Sequence, residues 1–303
     1  MGHLPVGILL ASYQVAFCIA APFTGNCLNR IGRKKAIMVG LLVMSICTVF
    51  FASASYFEGK WTFYAISTVG RMVQGVADSL ICVAIPSLIA IEFPHKNEKY
   101  QGYLEFAMGL GMALGPIMSS FIYDYLAYRG TFFFYAAFIV VFGISAACFI
   151  PGKVDRPPKK KKTTKSNDEA EKVPYSIFFK NRRAFLAILV PFIACIFLLY
   201  FGPILAPELR RLGVPDKYSG YSLAICWTCY AIGCFIAGFL CQIMPRRYLV
   251  LFSILLAALS LFIVGPAKFL PDDVYLIFIG LGLLGFGIAG ITVPVLPEMI
   301  DAV

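Results

Sequence analysis

Gly70-Arg71-Met72-Val73-Gln74-Gly75-Val76-Ala77-Asp78 lies inside an apolar run from Thr62 to Ile91 and sets a full positive charge where a helix would be embedded in lipid. An ionisable side chain near mid-bilayer costs roughly 2.5 to 3.5 kcal/mol on insertion scales, so it is tolerated mainly where it faces a bundle interior or a watery cavity. Arg71 is therefore a candidate functional residue. Positions 71, 74, 75 and 78 fall at i, i+3, i+4 and i+7, which puts Arg71, Gln74 and Asp78 on one helix face with Gly75, whose missing side chain lets another helix come close. The alternative, an arginine snorkelling to the headgroups, would have to span roughly 13 Å, because about nine residues separate it from the nearer end of the run.

The composition agrees: 60% of the 303 residues are hydrophobic and 14% charged, and mean hydropathy is +0.81. These values describe an all-α membrane protein rather than a soluble domain. No short apolar segment followed by a small-residue cleavage site opens the sequence, so no cleaved signal peptide is expected. Segments long enough to cross roughly 30 Å of hydrocarbon run at 4–24, 36–54, 62–91, 101–126, 132–150, 184–206, 219–244, 249–266 and 273–300, which predicts about nine transmembrane helices. The third and ninth exceed one span, and Pro86, Pro294 and Pro297 mark the expected bends.

Lys and Arg crowd one set of alternate loops: Arg30 to Lys35, Lys96 and Lys99, Lys153 to Arg183, and Arg246-Arg247. By the positive-inside bias that set is cytoplasmic. The net charge of +10 then reports topology, and nucleic acid is not an expected partner because no aromatic residues interleave with the lysine run. Residues 152–183 contain Pro157-Pro158, Lys159 to Lys162 and an acidic stretch that cannot bury a core, so they read as a basic cytoplasmic linker between helical bundles at 1–151 and 184–303. The ten cysteines fall within spans or at their cytoplasmic ends, which argues against structural disulfides. Cys226-Trp227-Thr228-Cys229 lacks a redox context, and the isolated His3 and His95 support no metal site, so no cofactor is expected.

Two short matches suggest duplication. Gly25 to Lys34 and Gly238 to Arg247 both end a span, 213 residues apart, while Gln74-Gly75-Val76-Ala77 resembles Phe286-Gly287-Ile288-Ala289 at a spacing of 212. That spacing leaves three helices of a doubled bundle without partners, so the sequence reads either as a fragment or as a shortened protein.

These residues resemble the major facilitator superfamily. Gly25, Asn29, Arg30, Gly32 and Arg33 are similar to its loop signature, Arg71 to Gly75 to its fourth-helix arginine motif, and Gly109, Gly111, Gly115 and Pro116 to its antiporter fifth-helix motif. The resemblance implies a two-bundle helical transporter, read as helices two to ten of twelve, with Leu104-Glu105 and Pro297-Glu298 most like the vesicular amine, polyamine and drug:proton antiporter branch. It also implies that Gly25 to Arg33 gate the protein. Asn29 stands where the family signature has an acid, and Ser119 and Ser120 where the antiporter motif has glycines. From packing alone, Gly109, Gly111 and Gly115 let backbones approach, and Pro116 removes an amide donor.

A proton-coupled exchanger of cations needs an acid able to hold either a proton or a positive charge, and burial with neighbouring charges can set such an acid in the working pH range. Glu105, Asp78 and Glu298 are the candidates, with Tyr13 and Gln14 as further lining of a substrate or proton site. The expected partners are a small solute, protons and lipid, in a plasma or vesicle membrane. The competing function is a non-transporting scaffold, sensor or subunit that keeps a partial transporter fold. No nucleophile elbow, metal cluster or phosphate loop points to an enzyme.

Overall fold

The computed structural model describes residues 3–56, 59–152, 181–213, 219–265 and 273–302. Most of the linker read at 152–183 lies outside the described residues. Within them the chain is helical throughout, as long apolar runs require in lipid, where each backbone polar group must find its partner inside the segment. The helices are α1 (His3–Ile31), α2 (Arg33–Ser53), α3 (Lys60–Glu92), α4 (Asn97–Phe149), α5 (Arg182–Arg211), α6 (Ser219–Ile243), α7 (Arg246–Val264) and α8 (Val274–Ala302). Short 3-10 turns follow α2 and α3, at Ala54–Tyr56 and Pro94–Lys96. Among the described residues, seven segments are long and apolar enough to cross a membrane, which makes this an integral multi-pass protein.

Helix α4 covers two of the expected spans. Its limbs meet at Ala127, whose φ of 51° is the left-handed conformation that side chains other than glycine seldom adopt. The chain divides into two compact units, Met1–Glu92 with Ser119–Lys165, and Phe93–Met118 with Ser166–Val303. The first limb of α4 as far as Met118 therefore packs in the second unit, and its end from Ser119 on, with the second limb, in the first.

In the first unit α1 and α3 run parallel, touching at Gly75, where a Cβ would collide with the Tyr13 carbonyl and lie 3.1 Å from the Phe17 nitrogen. Further along, Thr24 and Ser79 hydroxyls meet at 3.0 Å. Helix α2 packs on α3 through Gly40, where a Cβ would stand 2.9 Å from the Ala77 carbonyl. The second limb of α4 lies along α2, with Ser45 donating to the Ala136 carbonyl at 3.1 Å and the Phe51 and Phe132 rings 5.0 Å apart.

The second unit repeats this joint. At Gly285 of α8 a Cβ would collide with the Cys226 carbonyl of α6, 2.8 Å from the Tyr230 nitrogen and 3.1 Å from the Cys229 Cβ. Tyr13, Ala16 and Phe17 in the first joint and Cys226, Cys229 and Tyr230 in the second are each 213 residues apart, the spacing of the Gly25 and Gly238 loop matches. Gly75, however, corresponds to Gly285, 210 residues on, and not to Gly287, which packs on Ala257 of α7. The segment between the joint's two halves is three residues shorter in the second unit, so the match at a spacing of 212 was out of register by two.

Candidate transport sites

The close approach at Gly75 brings Tyr13 beside the Asp78 face of α3. The Tyr13 hydroxyl donates to Asp78 Oδ2 at 2.6 Å, and the Cys82 thiol, one turn on, donates to Oδ1 at 3.4 Å. Arg71 turns the other way along the same stripe. Its Nη1 donates to Gln74 Oε1 at 3.3 Å, Gln74 Nε2 donates to Thr48 Oγ1 at 3.2 Å, and the guanidinium carbon lies 4.9 Å from the Phe51 ring centroid. The Arg71 Nε is buried and makes no hydrogen bond among the described residues. The stripe thus holds two small clusters, Tyr13–Asp78–Cys82 and Arg71–Gln74–Thr48. Gln14, next to Tyr13, is exposed and belongs to neither.

At the turn between α1 and α2, Gly32 has φ 91°, a conformation open to glycine and costly for other residues. It lets Arg33 fold back, so that Nη2 donates to Asn29 Oδ1 at 3.1 Å and Nε to Ser87 Oγ at 3.0 Å. Asn29 therefore accepts the bond an acid would accept, without its charge. Gly25 has open space around its Cβ position, and Arg30 is exposed. Lys34, the last residue of the Gly25 to Lys34 match, donates to the carbonyls of Ala147 and Ile150 at 2.8 and 2.5 Å, a cation on the carbonyl end of α4.

In the second unit the first limb of α4 and helix α6 meet along small residues. A Cβ at Gly102 would lie 2.9 Å from the Cys234 carbonyl and from the Gly238 Cα, and one at Gly109 would lie 2.9 Å from the Ala231 Cβ and the Tyr230 ring. Glu105 falls between these two glycines on the same face. Tyr230 donates its hydroxyl to Glu105 Oε2 at 2.7 Å, Gln101 donates to Oε1 at 3.4 Å, and the Tyr230 oxygen lies 3.3 Å from the Thr292 hydroxyl of α8. Both hydrogen bonds to the Glu105 carboxylate come from neutral donors. Gly111 and Gly115 have no atom within 4 Å of a Cβ position, and the helix continues through Pro116.

Glu298 lies elsewhere, 3.8 Å from Arg246, which also pairs with Glu98 at the start of α4. The structure therefore places Glu298 in an ion-pair group, while Asp78 and Glu105 each accept a hydrogen bond from a tyrosine. Gln101 was open to inspection, being four residues from Glu105 on one helix. Tyr230 and Thr292 had no such signal.

The comparisons with known proteins agree with this architecture. The model of the Major Facilitator Superfamily matches residues 2–302. The chain belongs to this superfamily. Among curated relatives, the human MFS-type transporter SLC18B1 is 22% identical over 300 residues, 98% of this chain and 63% of that protein. The human synaptic vesicular amine transporter is 25% identical over 269 residues, 88% of this chain and 49% of the relative. Multidrug resistance protein 2 of Bacillus subtilis is 30% identical over 142 residues, 46% of this chain and 34% of the relative. The chain thus spans between about a third and two thirds of the length of these relatives. Of solved structures, the human organic anion transporter MFSD10 superposes with a TM-score of 0.71 at 17% identity, over 98% of this chain and 70% of that one. FucP in the outward conformation superposes with a TM-score of 0.67 at 13% identity, over 98% and 76%. These structures support the fold. Membership in this superfamily fits the bilayer setting that the seven apolar helices require.

Proposed function

We propose that this protein is a secondary active transporter that exchanges an organic cation for protons by alternating access of two helical bundles. The observation that carries this reading is Glu105, a carboxylate set in a tight glycine seam and hydrogen-bonded by Tyr230 and Gln101. Neither donor supplies a compensating charge, so the carboxylate is left to be neutralised by a proton or by a cationic solute in turn, which is the property exchange requires. Tyr230 supports both states. It donates to the ionised acid, and once Glu105 carries a proton the phenol oxygen accepts from it and turns its own proton toward Thr292. Resemblance to amine and multidrug relatives favours a cationic solute. The arginine-rich turn at Arg30 to Lys35 and the basic linker are taken to face the cytoplasm.

The test is uptake of labelled amines into proteoliposomes under an imposed pH gradient. Gradient-driven uptake that Glu105→Gln and Arg71→Ala abolish is the expected result. Uptake no greater than that of empty liposomes, or uptake indifferent to Glu105→Gln, removes the proposal.

A further inference from the structure

The kink at Ala127 folds the end of one α4 limb back on the start of the next, so that the Ser119 and Tyr135 hydroxyls meet at 2.8 Å. Between them opens a cavity of about 480 Å³, lined by Ser119, Tyr123, Asp124, Tyr128, Phe132 and Tyr135 among others. That volume lies within the range of roughly 300–1,000 Å³ usual for small-molecule sites. Four of these residues are aromatic, and the Tyr128 and Phe132 rings are 4.8 Å apart. Among the described residues, Asp124 is the one charged residue in the lining. Nearby cations are turned to other rings, Arg129 over Tyr56 at 3.9 Å and Arg71 over Phe51 at 4.9 Å. The Tyr128 hydroxyl is buried and has no hydrogen-bond partner among the described residues, although a buried hydroxyl ordinarily finds one.

We infer that this cavity is a second recognition site, for a small protonated amine. Aromatic rings attract a cation through their quadrupole, a carboxylate neutralises it, and an ammonium N–H supplies the bond that the Tyr128 hydroxyl lacks. An inorganic or organic anion would be repelled by the Asp124 carboxylate, although the Arg71 charge reaches the Tyr128 side of the cavity, and a neutral solute would leave that carboxylate unused. The kink is what makes the site, because two collinear limbs would carry Ser119 and Tyr135 far apart. The ligand class rests on the exchanger reading, while the cavity lies wholly in the first unit and Glu105 in the second.

The experiment measures equilibrium binding of tritiated 2-phenylethylamine to the full chain carrying Glu105→Gln, so that only the cavity is read. Uncharged 2-phenylethanol serves as competitor. Binding that phenylethanol fails to displace is expected, weakened about tenfold or more by Asp124→Asn and several-fold by Tyr128→Phe, in variants that keep the parent's elution profile and melting temperature. Binding unchanged by both substitutions, or no binding in the Glu105→Gln parent, overturns the site. Amine uptake by the unsubstituted chain is scored separately. A cavity that fails beside Glu105-dependent uptake leaves the exchanger standing, and binding without any uptake leaves the cavity standing and removes the exchanger.

Discussion

Both units contain a phenol bonded to a carboxylate, Tyr13 to Asp78 at 2.6 Å in the first and Tyr230 to Glu105 at 2.7 Å in the second, yet the two pairs do not occupy equivalent places. Tyr230 corresponds to Phe17, and Tyr13 to Cys226. At the Gly75 to Gly285 spacing, Arg71, Gln74 and Asp78 correspond to Leu281, Leu284 and Ile288, each 1% exposed. Cys226 and Leu281 pack with Val264, Leu205 and Leu209. Leu284 and Ile288 join the core around Tyr230 and Cys234. The same helix joint therefore carries a charged stripe in one unit and dry packing in the other. The glycine contact fixes how the helices meet, and the side chains one turn away decide whether the seam holds polar chemistry. In the second unit that chemistry has moved to the seam with the first limb of α4.

The sharpest way to break this comparison is to exchange the two stripes. Leu281→Arg places a guanidinium where Leu205, Leu209, Cys226 and Val264 offer no acceptor, and an uncompensated buried charge costs about 3–5 kcal/mol. We expect loss of monodisperse protein, or early labelling of the buried Cys226 and Cys234 thiols in a heating ramp followed with a thiol-reactive dye. Arg71→Leu, the reverse exchange, should melt within a few degrees of the parent, since Arg71 already has an unbonded Nε to lose. Equal tolerance of both substitutions would mean that the stripes are not different environments.

Much of this fold could be read from the sequence. Hydropathy alone placed the helices near their observed bounds, and i+3 spacing alone joined Arg71 to Gln74. Contacts between helices were harder. Glu105 and Tyr230 are 125 residues apart, and no local rule pairs a particular tyrosine with a particular acid. The three glycines of the fifth-helix motif looked alike, yet each residue turns about 100° around a helix, so Gly109 shares the Gly102 face seven residues earlier while Gly111 and Gly115 point elsewhere. The internal repeat was visible, but its register depended on a three-residue difference in length that short matches could not locate. That Glu298 lies beside Arg246 could not be read either, because the two are distant in sequence.

A second test asks whether the repeated joint is equally tight in both units. Gly75→Ala and Gly285→Ala each push a methyl group into a carbonyl of the facing helix, and overpacking of this kind costs about 1–3 kcal/mol. Gly111→Ala meets nothing within 4 Å and should be neutral or stabilising by up to about 1 kcal/mol, because alanine favours helix more than glycine does. Melting temperatures of the three variants in one detergent give the comparison. A Gly285→Ala protein as stable as Gly111→Ala would show that α6 and α8 can part without cost, and the shared joint would lose its meaning.

The finest test separates the two phenols. Tyr13→Phe and Tyr230→Phe each remove one O–H bonded to a carboxylate, and hydrogen bonds to charged groups contribute about 1.5–3 kcal/mol. The losses should differ. Asp78 keeps the Cys82 thiol as a donor after Tyr13→Phe, and Tyr13 is only half-buried. Tyr230 is 6% exposed within the core of its unit, and its removal strands Glu105 Oε2, while Thr292 keeps its bond to the Ala289 carbonyl. Tyr230→Phe should therefore lower the melting temperature more than Tyr13→Phe, and only Tyr230→Phe should shift the pH dependence of amine uptake, because only its partner is the proposed exchange acid. If Tyr13→Phe moved that pH profile and Tyr230→Phe did not, the titrating acid would be Asp78, and the working site would lie on the charged stripe rather than in the α4–α6 seam.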